Sequence, residues 1–121
     1  MKLGSLVGGS ATVIGREATV AEAAEALINA GVGSLAVVEG RLLVGIITER
    51  DVVRAVSEGA DPEEEVVADW MSDAPDTFGP DVEVREAAAW LLEVGYRHMP
   101  VMQDGELLGI VSIRDILWSI I

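Results

Sequence analysis

The chain has 121 residues, half of them hydrophobic, which is enough for one compact body or for two small halves that share a core. It contains no cysteine and has a formal net charge of −13, from 21 acidic and eight basic residues. We therefore predict a cytoplasmic protein without disulfides, excluded from nucleic acid by its charge and from the membrane because no apolar run approaches roughly 20 residues.

The first half of the chain predicts a strand, a helix, a hairpin of two strands and a second helix. "ATVIG" (11–15) is a short apolar strand that ends at glycine. The first helix follows Thr19, which is the expected cap, and Glu22 completes a capping box. "SLAVVEGRLLVGIIT" (34–48) contains two apolar runs around a glycine turn, and the second helix begins near Glu49.

An acidic connector, residues 61–72, separates the two halves. No Lys or Arg occurs from Ala55 to Val84, and we interpret the acids there as a solvated surface rather than a cation site. Asp61 as a cap and Pro62 at the first helical position predict a short helix at the start of this connector.

The second half predicts the same order of elements. "DTFG" (76–79) is the first strand, and a helix runs from about Val84 to Val94. "HMPVMQDGELLGIVS" (98–112) predicts two strands joined at Asp104-Gly105, a strong hairpin signal, and the last helix begins near Ile113.

The two halves are copies of one unit. Residues 20–56 align with residues 84–120 at an offset of 64 without a gap, and 12 of the 37 pairs are identical. We predict an α+β fold of two tandem β-α-β-β-α repeats, packed with pseudo-twofold symmetry so that each covers the apolar sheet face of the other. The first repeat is predicted at 1–60, the connector at 61–72 and the second repeat at 73–121.

A seven-residue phrase occurs in both copies, as "GIITERD" (45–51) and "GIVSIRD" (109–115). Its hydroxyl residue and its acid, three positions apart, are a helix-capping signature. Capping is therefore one interpretation of the phrase. The pairs concerned are Thr48 with Asp51 and Ser112 with Asp115.

Capping does not account for the arginines of the phrase. Arg50 and Arg114 both fall in a first helical turn, where the helix dipole disfavours a cation by about 0.3 to 1 kcal/mol. A bound anion would offset this, because helix N-terminal amides and a guanidinium together bind phosphate. The short acid can accept hydrogen bonds from a sugar diol, and Gly45 and Gly109 leave room beside the strands. These features favour a nucleotide site over capping alone.

The two copies together resemble a CBS-domain pair, also called a Bateman module. "MSDAPDTFGPDVEVREAAAWLLEVGYRHMPVMQDGELLGIVSIRDIL" is similar to the family pattern nearly end to end, and the first copy is similar to it from about Ser10. The resemblance implies up to two clefts between the repeats for an adenosine ligand: AMP, ADP, ATP, NAD or S-adenosylmethionine. AMP is the preferred candidate, and no other cofactor is required.

The resemblance also implies roles for individual residues. The two acids of the phrase would hold ribose hydroxyls, the hydroxyl residues would contact ribose or phosphate, and the arginines would lie near phosphate. In "YRHMPV", the basic pair that leads into the strand would also meet phosphate, and the base would lie near residues 11–13 and 76–78. The implied ligand-binding residues are Thr48, Arg50, Asp51, Arg97, His98, Ser112, Arg114 and Asp115.

The two sites are predicted to be unequal. The first copy has Val32–Ser34 where the second has "YRH", and Ala36 where the second has Pro100, so it lacks the basic pair. The acidic net charge disfavours polyphosphates and favours AMP, adenosine-type or cationic ligands unless a metal intervenes.

We predict a regulatory sensor module that acts in trans on a protein partner and forms a homodimer, in which a second subunit covers the apolar terminal helix with Trp118. The alternative is a structural or dimerisation module with empty clefts. An enzyme is disfavoured because no nucleophile has an evident base. His98 alone predicts no metal site, and Trp90 is predicted to pack in the core.

Overall fold

The computed structural model describes residues 1–7 and 11–121, and within them it contains four α-helices and six strands. Ser10, where the resemblance of the first copy begins, lies outside the described residues. The order of elements confirms the predicted α+β class and the two repeats. The helices are α1 (Val20–Ala30), α2 (Glu49–Ser57), α3 (Val84–Val94) and α4 (Ile113–Ile120), and the strands are β1 (Val13–Gly15), β2 (Ser34–Glu39), β3 (Leu42–Thr48), β4 (Ser72–Asp73), β5 (His98–Gln103) and β6 (Glu106–Ser112).

The chain divides into two compact units, and each contains the body of one repeat. The first-repeat unit is Thr12–Pro75, and the second-repeat unit is Met1–Ala11 together with Asp76–Ile121. In both units the helices and the sheet bury aliphatic side chains against one another, which supplies most of the folding free energy. The buried core residues are Ala23, Leu27, Leu35, Val37, Ile47 and Val67 in the first-repeat unit, and Leu3, Val84, Ala87, Leu91, Met99, Val101, Val111 and Ile116 in the second.

The first-repeat unit contains a four-stranded sheet in the order β1-β2-β3-β4. Strand β1 is parallel to β2, whereas β2 with β3 and β3 with β4 are antiparallel. Strand β4 consists of the last connector residue, Ser72, and Asp73, and it pairs beside Gly45 and Ile46. The connector therefore completes the edge of the sheet in the first-repeat unit.

Among the described residues of the second-repeat unit, the sheet consists of the antiparallel pair β5-β6, and the predicted first strand at 76–79 is reduced to one bridge. Phe78 lies parallel to Val101, with hydrogen bonds that join it to Pro100 and Met102. In the first repeat the N–H of Ala36 donates to the Thr12 carbonyl at 3.0 Å. Pro100 stands at the position of Ala36 and has no N–H to donate, so the ladder is shorter.

The connector forms a turn instead of the predicted helix. The Asp61 side chain accepts from the N–H of Glu63 at 3.0 Å, as a cap would, but the chain turns once and then extends at Val66. Val67 is buried at the start of a 3-10 helix (Val67–Asp69). If a helix continued past this first turn, Val67 would not lie in the core. The helical turn therefore ends before Val66.

The offset of 64 also relates two segments that the sequence alignment left out, residues 2–7 and 66–71. Leu3 and Val67 are both fully buried, each at the start of a 3-10 helix. The Leu3 N–H donates to the Val82 carbonyl, and the Val67 N–H donates to the Ala18 carbonyl. Each leading segment therefore packs in the compact unit formed by the body of the other repeat. The prediction assigned residues 2–7 to the first repeat and residues 66–71 to the connector, whereas the structure packs 2–7 with the body of the second repeat and 66–71 with the body of the first.

Candidate functional site

The repeated phrase forms a complete capping box at the start of α2 and of α4. In the first repeat the Asp51 N–H donates to Thr48 Oγ1 at 3.2 Å, and the Thr48 N–H donates to Asp51 Oδ2 at 2.9 Å. In the second repeat the corresponding bonds between Ser112 and Asp115 are both 3.0 Å. The capping interpretation is thus confirmed, and a cap of this kind is worth about 1 kcal/mol.

Capping uses Oδ2 of each carboxylate and leaves Oδ1 for other partners. Oδ1 of Asp51 lies 3.7 Å from Nη2 of Arg54, and the Asp51 side chain is only 17% exposed. Asp115 is exposed, and its Oδ1 has no hydrogen bond or ion pair with any residue that the structure describes. The second repeat therefore presents a carboxylate oxygen that is available to a hydroxyl donor.

The two arginines of the phrase are exposed in the first turns of α2 and α4. Neither Arg50 nor Arg114 forms an ion pair or a side-chain hydrogen bond with residues 1–7 or 11–121. Both guanidiniums therefore stay at the positive end of a helix without an acidic partner from the described chain. Their contact with phosphate remains a prediction.

Backbone hydrogen bonds bring Arg97 and His98 to the start of α4. The Ile113 N–H donates to the Arg97 carbonyl at 2.9 Å, and His98 lies opposite Ser112 in the β5-β6 pair. The start of β5 and the start of α4 thus meet at one place in the second-repeat unit, which we call its corner. This corner holds the basic pair beside the capping box of Asp115. The contact of this pair with a phosphate remains a prediction.

The first repeat builds the same corner from uncharged residues. The Glu49 N–H donates to the Gly33 carbonyl at 3.0 Å, and Ser34 lies opposite Thr48. Ser34 is 6% exposed, so the side chain at this place faces the protein interior. The backbone of the corner is the same in both repeats, and the difference between them lies in the side chains.

The expected room for a ligand beside Gly45 and Gly109 is occupied by the protein itself, which corrects that interpretation. A Cβ at Gly45 would lie 2.6 Å from Met71 Sδ and 2.8 Å from the Ser72 carbonyl oxygen. A Cβ at Gly109 would lie 3.0 Å from Cβ of Val7. Both glycines are therefore required by the leading segments that pack against β3 and β6.

An aromatic cluster of the second-repeat unit was not predicted as a group. Trp90 packs edge-on against Phe78, with ring centroids 5.5 Å apart, and lies 5.9 Å from Tyr96. Trp90 is half-buried against the hydrophobic core, which confirms its predicted packing role. At the matching positions the first repeat has Ile14, Ala26 and Val32.

Sequence reasoning also missed Arg54 and its contact with Trp70. The spacing from Asp51 to Arg54 is i to i+3, which places both residues on one face of a helix and was a usable signal. Trp70 comes from the connector, and no local pattern could have placed its ring 5.0 Å from the Arg54 guanidinium.

No three His, Cys, Asp or Glu side chains within the described residues are grouped as metal ligands would be. None of the helices in the described ranges is both long enough and apolar enough to cross a bilayer.

The sequence model of one family, the CBS domain, matches residues 9–58 and 67–121. Among curated proteins, an uncharacterized protein of Methanopyrus kandleri is 41% identical over 102 residues, which cover 82% of this chain. The chain spans about half of that relative's length, 52%.

Solved structures of similar proteins have the same fold over the whole chain. A CBS-domain containing protein of Agrobacterium tumefaciens has a TM-score of 0.94 and 27% identity, with 100% of both chains covered. A CBS domain protein of Pyrobaculum aerophilum, complexed with AMP, has a TM-score of 0.88 and 26% identity, with 98% of this chain and 97% of that chain covered.

Proposed function

The chain belongs to the CBS-domain family, and from that premise we propose that it is a regulatory module that binds an adenosine-type ligand. The observation that carries the proposal is the capping box of the second repeat. Asp115 caps α4 with one carboxylate oxygen, and its other oxygen has no partner among residues 1–7 and 11–121, while Arg97 and His98 lie at the same corner. This combination offers an acceptor for a ribose diol, and a guanidinium and an imidazole for a phosphate.

AMP is the ligand that we propose for the second repeat. A single phosphate suits one basic pair and one first-turn arginine, and the net charge of −13 opposes longer phosphate chains. The AMP complex of the similar Pyrobaculum aerophilum protein supports this choice. ADP, ATP, NAD and S-adenosylmethionine are the other candidates, and the first repeat is proposed as the weaker site.

We propose that the module acts without catalysis, in the cytoplasm, by a change of conformation that a protein partner recognises. A ligand shifts such an equilibrium only when it binds the two conformations with different affinities. The exposed apolar residues of α4, Leu117, Trp118 and Ile120, support a homodimer in which a second subunit covers them.

A thermal melt separates ligand binding from capping. AMP at about 100 times its dissociation constant should stabilise the unmodified chain by about 2.7 kcal/mol. Asp115→Glu should keep the unliganded melting temperature, because Glu22 fills the same place in the capping box of α1. The longer side chain moves the free oxygen away from the diol, so the stabilisation by AMP at the second repeat should be lost.

The matched control is Glu22→Asp, the reverse exchange at a capping box for which we propose no ligand. It should leave the response to AMP unchanged. If Asp115→Glu responds to AMP like the unmodified chain, then Asp115 is a cap only and our assignment is wrong. Turnover of any added nucleotide would contradict the non-enzymatic proposal.

The second candidate is a structural or dimerisation module without a ligand. It is favoured by the complete capping boxes, in which both acids already serve their own helices, and by the exposed face of α4. No shift of the melting temperature with AMP, ADP, ATP, NAD or S-adenosylmethionine would support it over the sensor.

A further inference from the structure

Arg54 is held in place by four contacts within the first-repeat unit. Its Nη2 lies 3.7 Å from Oδ1 of Asp51 and donates to the Trp70 carbonyl at 3.3 Å. Its Nη1 lies 3.6 Å from Glu58, and its guanidinium carbon lies 5.0 Å from the centroid of the Trp70 ring. Arg54 thus joins the acid of the capping box to the connector.

The second repeat has no equivalent of this link. Trp118 stands at the position that matches Arg54, and Leu6 stands at the position that matches Trp70. Trp118 is 68% exposed, and Oδ1 of Asp115 has no basic partner within the described ranges. The link to a leading segment therefore distinguishes the first repeat from the second.

Trp70 is the member of this link whose surroundings change when the Arg54 contacts change. Its indole Nε1 is buried and has no hydrogen-bond acceptor in the described part of the chain. An unpaired buried donor is unfavourable, so Trp70 depends on its packing and on the Arg54 contacts to stay in this position. Any movement of the guanidinium would change the surroundings of the ring.

We propose that Arg54 is a positioning residue that couples ligand binding at Asp51 to the connector segment 66–71. The inference rests on the proposed function, since it requires that a ligand hydroxyl reaches Oδ1 of Asp51. A distance of 3.7 Å is longer than a hydrogen bond, so Oδ1 can still accept from a hydroxyl while Arg54 orients the carboxylate.

The coupling acts in both directions, as linkage requires. A ligand on Asp51 changes the balance of Arg54 between Asp51 and Trp70, and a change at Trp70 alters the affinity of Asp51 for the ligand by the same factor. The second repeat, with Trp118 in this place, binds its ligand without this dependence on a leading segment. A signal from the first repeat therefore reaches the connector, which leads to the second repeat.

The test measures AMP affinity at each repeat separately by titration calorimetry. Asp115→Glu should remove AMP binding at the second repeat, so that the remaining binding gives the affinity of the first repeat. Asp51→Glu should remove AMP binding at the first repeat and leave the affinity of the second to be measured. In the first background, Arg54→Met should weaken AMP binding about fivefold, the scale of a half-exposed ion pair. In the second background, Arg54→Met should change the affinity less than twofold. Arg54→Lys should restore part of the loss, because it keeps the charge without the planar stacking.

A fluorescence measurement detects the coupling directly. In a chain with Trp90→Phe and Trp118→Phe, Trp70 is the remaining tryptophan, and AMP should shift its emission. Arg54→Met should abolish this emission shift at saturating AMP. In the calorimetric titration, Trp70→Leu, which introduces the residue found at position 6, should weaken AMP binding at the first repeat as Arg54→Met does.

Two results would overturn the inference. If Arg54→Met lowers the melting temperature but leaves the AMP affinity of the first repeat and the Trp70 shift unchanged, Arg54 only stabilises the fold. If Asp51→Glu leaves total AMP binding unchanged, Asp51 is not a ligand contact and has nothing to couple. Absence of AMP binding to the unmodified chain would instead reject the proposed function together with this inference.

Discussion

The two repeats place nearly the same backbone around different charges. At the start of α2, Asp51 is partnered by Arg54, and the corner beside it is formed by Gly33 and Ser34. At the start of α4, Oδ1 of Asp115 has no partner in the part of the chain that the structure describes, and the corner is formed by Arg97 and His98. After a duplication, hydrogen bonds and core packing constrain the backbone of both copies, whereas exposed side chains are free to diverge. Any difference in function between the two repeats therefore arises from these side chains.

The largest effect is expected from the exchanged leading segments. Leu3→Ala should lower the free energy of unfolding by about 2 to 5 kcal/mol, because it leaves a cavity in the core of the second-repeat unit. Urea denaturation gives the value. Ile28→Ala is the control, since Ile28 is 81% exposed and its loss should change stability by about 0.5 kcal/mol or less. Equal losses for the two variants would show that the N-terminal segment is not packed in solution.

The next effect distinguishes the two strand glycines. Gly45→Ala should destabilise by about 1 to 3 kcal/mol, and more than Gly109→Ala, because its Cβ meets the backbone carbonyl of Ser72 whereas the other meets the side chain of Val7. Thermal and urea denaturation both report this difference. Val7→Gly, which removes the Cβ that lies 3.0 Å away, should relieve Gly109→Ala, and no truncation of a side chain can fully relieve Gly45→Ala. A larger loss for Gly109→Ala would contradict the described packing.

The smallest effect is expected from a substitution that makes the corner of the first repeat more similar to that of the second. Gly33→Arg supplies the basic residue that the second repeat has at Arg97, and Gly33 does not have a left-handed backbone that would exclude a side chain. In the Asp115→Glu background it should tighten AMP binding about three- to fivefold, with no gain for adenosine, which lacks the phosphate. Equal gains for AMP and adenosine would mean that the added charge does not contact phosphate.

Local patterns predicted most of the fold because both copies carry them. Thr19 with Glu22, the hairpin glycines and the phrase that ends each repeat give α1 to α4 and the hairpins near their observed bounds. The prediction was wrong where a local signal competed with packing. Asp61 and Pro62 do start a turn, but the burial of Val67 ends it, and Pro100 shortens the pairing of the strand near Phe78.

The sequence named the eight candidate residues and predicted unequal sites, because Arg97 and His98 have no basic counterparts within Val32–Ser34. The phrase identified Asp51 and Asp115 but gave no means to tell them apart, because both sit in the same motif. Their difference comes from Arg54 and from Arg97 and His98, which reach the capping boxes through helix geometry and strand pairing.

By itself, the sequence determined the duplication, the class of fold and the capping boxes, since each depends on contacts between residues close in the chain or repeated at a fixed offset. Tertiary structure decided which leading segment packs in which unit, why Gly45 and Gly109 are required, and which carboxylate keeps a free oxygen. These depend on contacts between residues far apart in the chain, such as Leu3 with Val82 or Arg54 with Trp70, for which the local sequence carries no periodic signal.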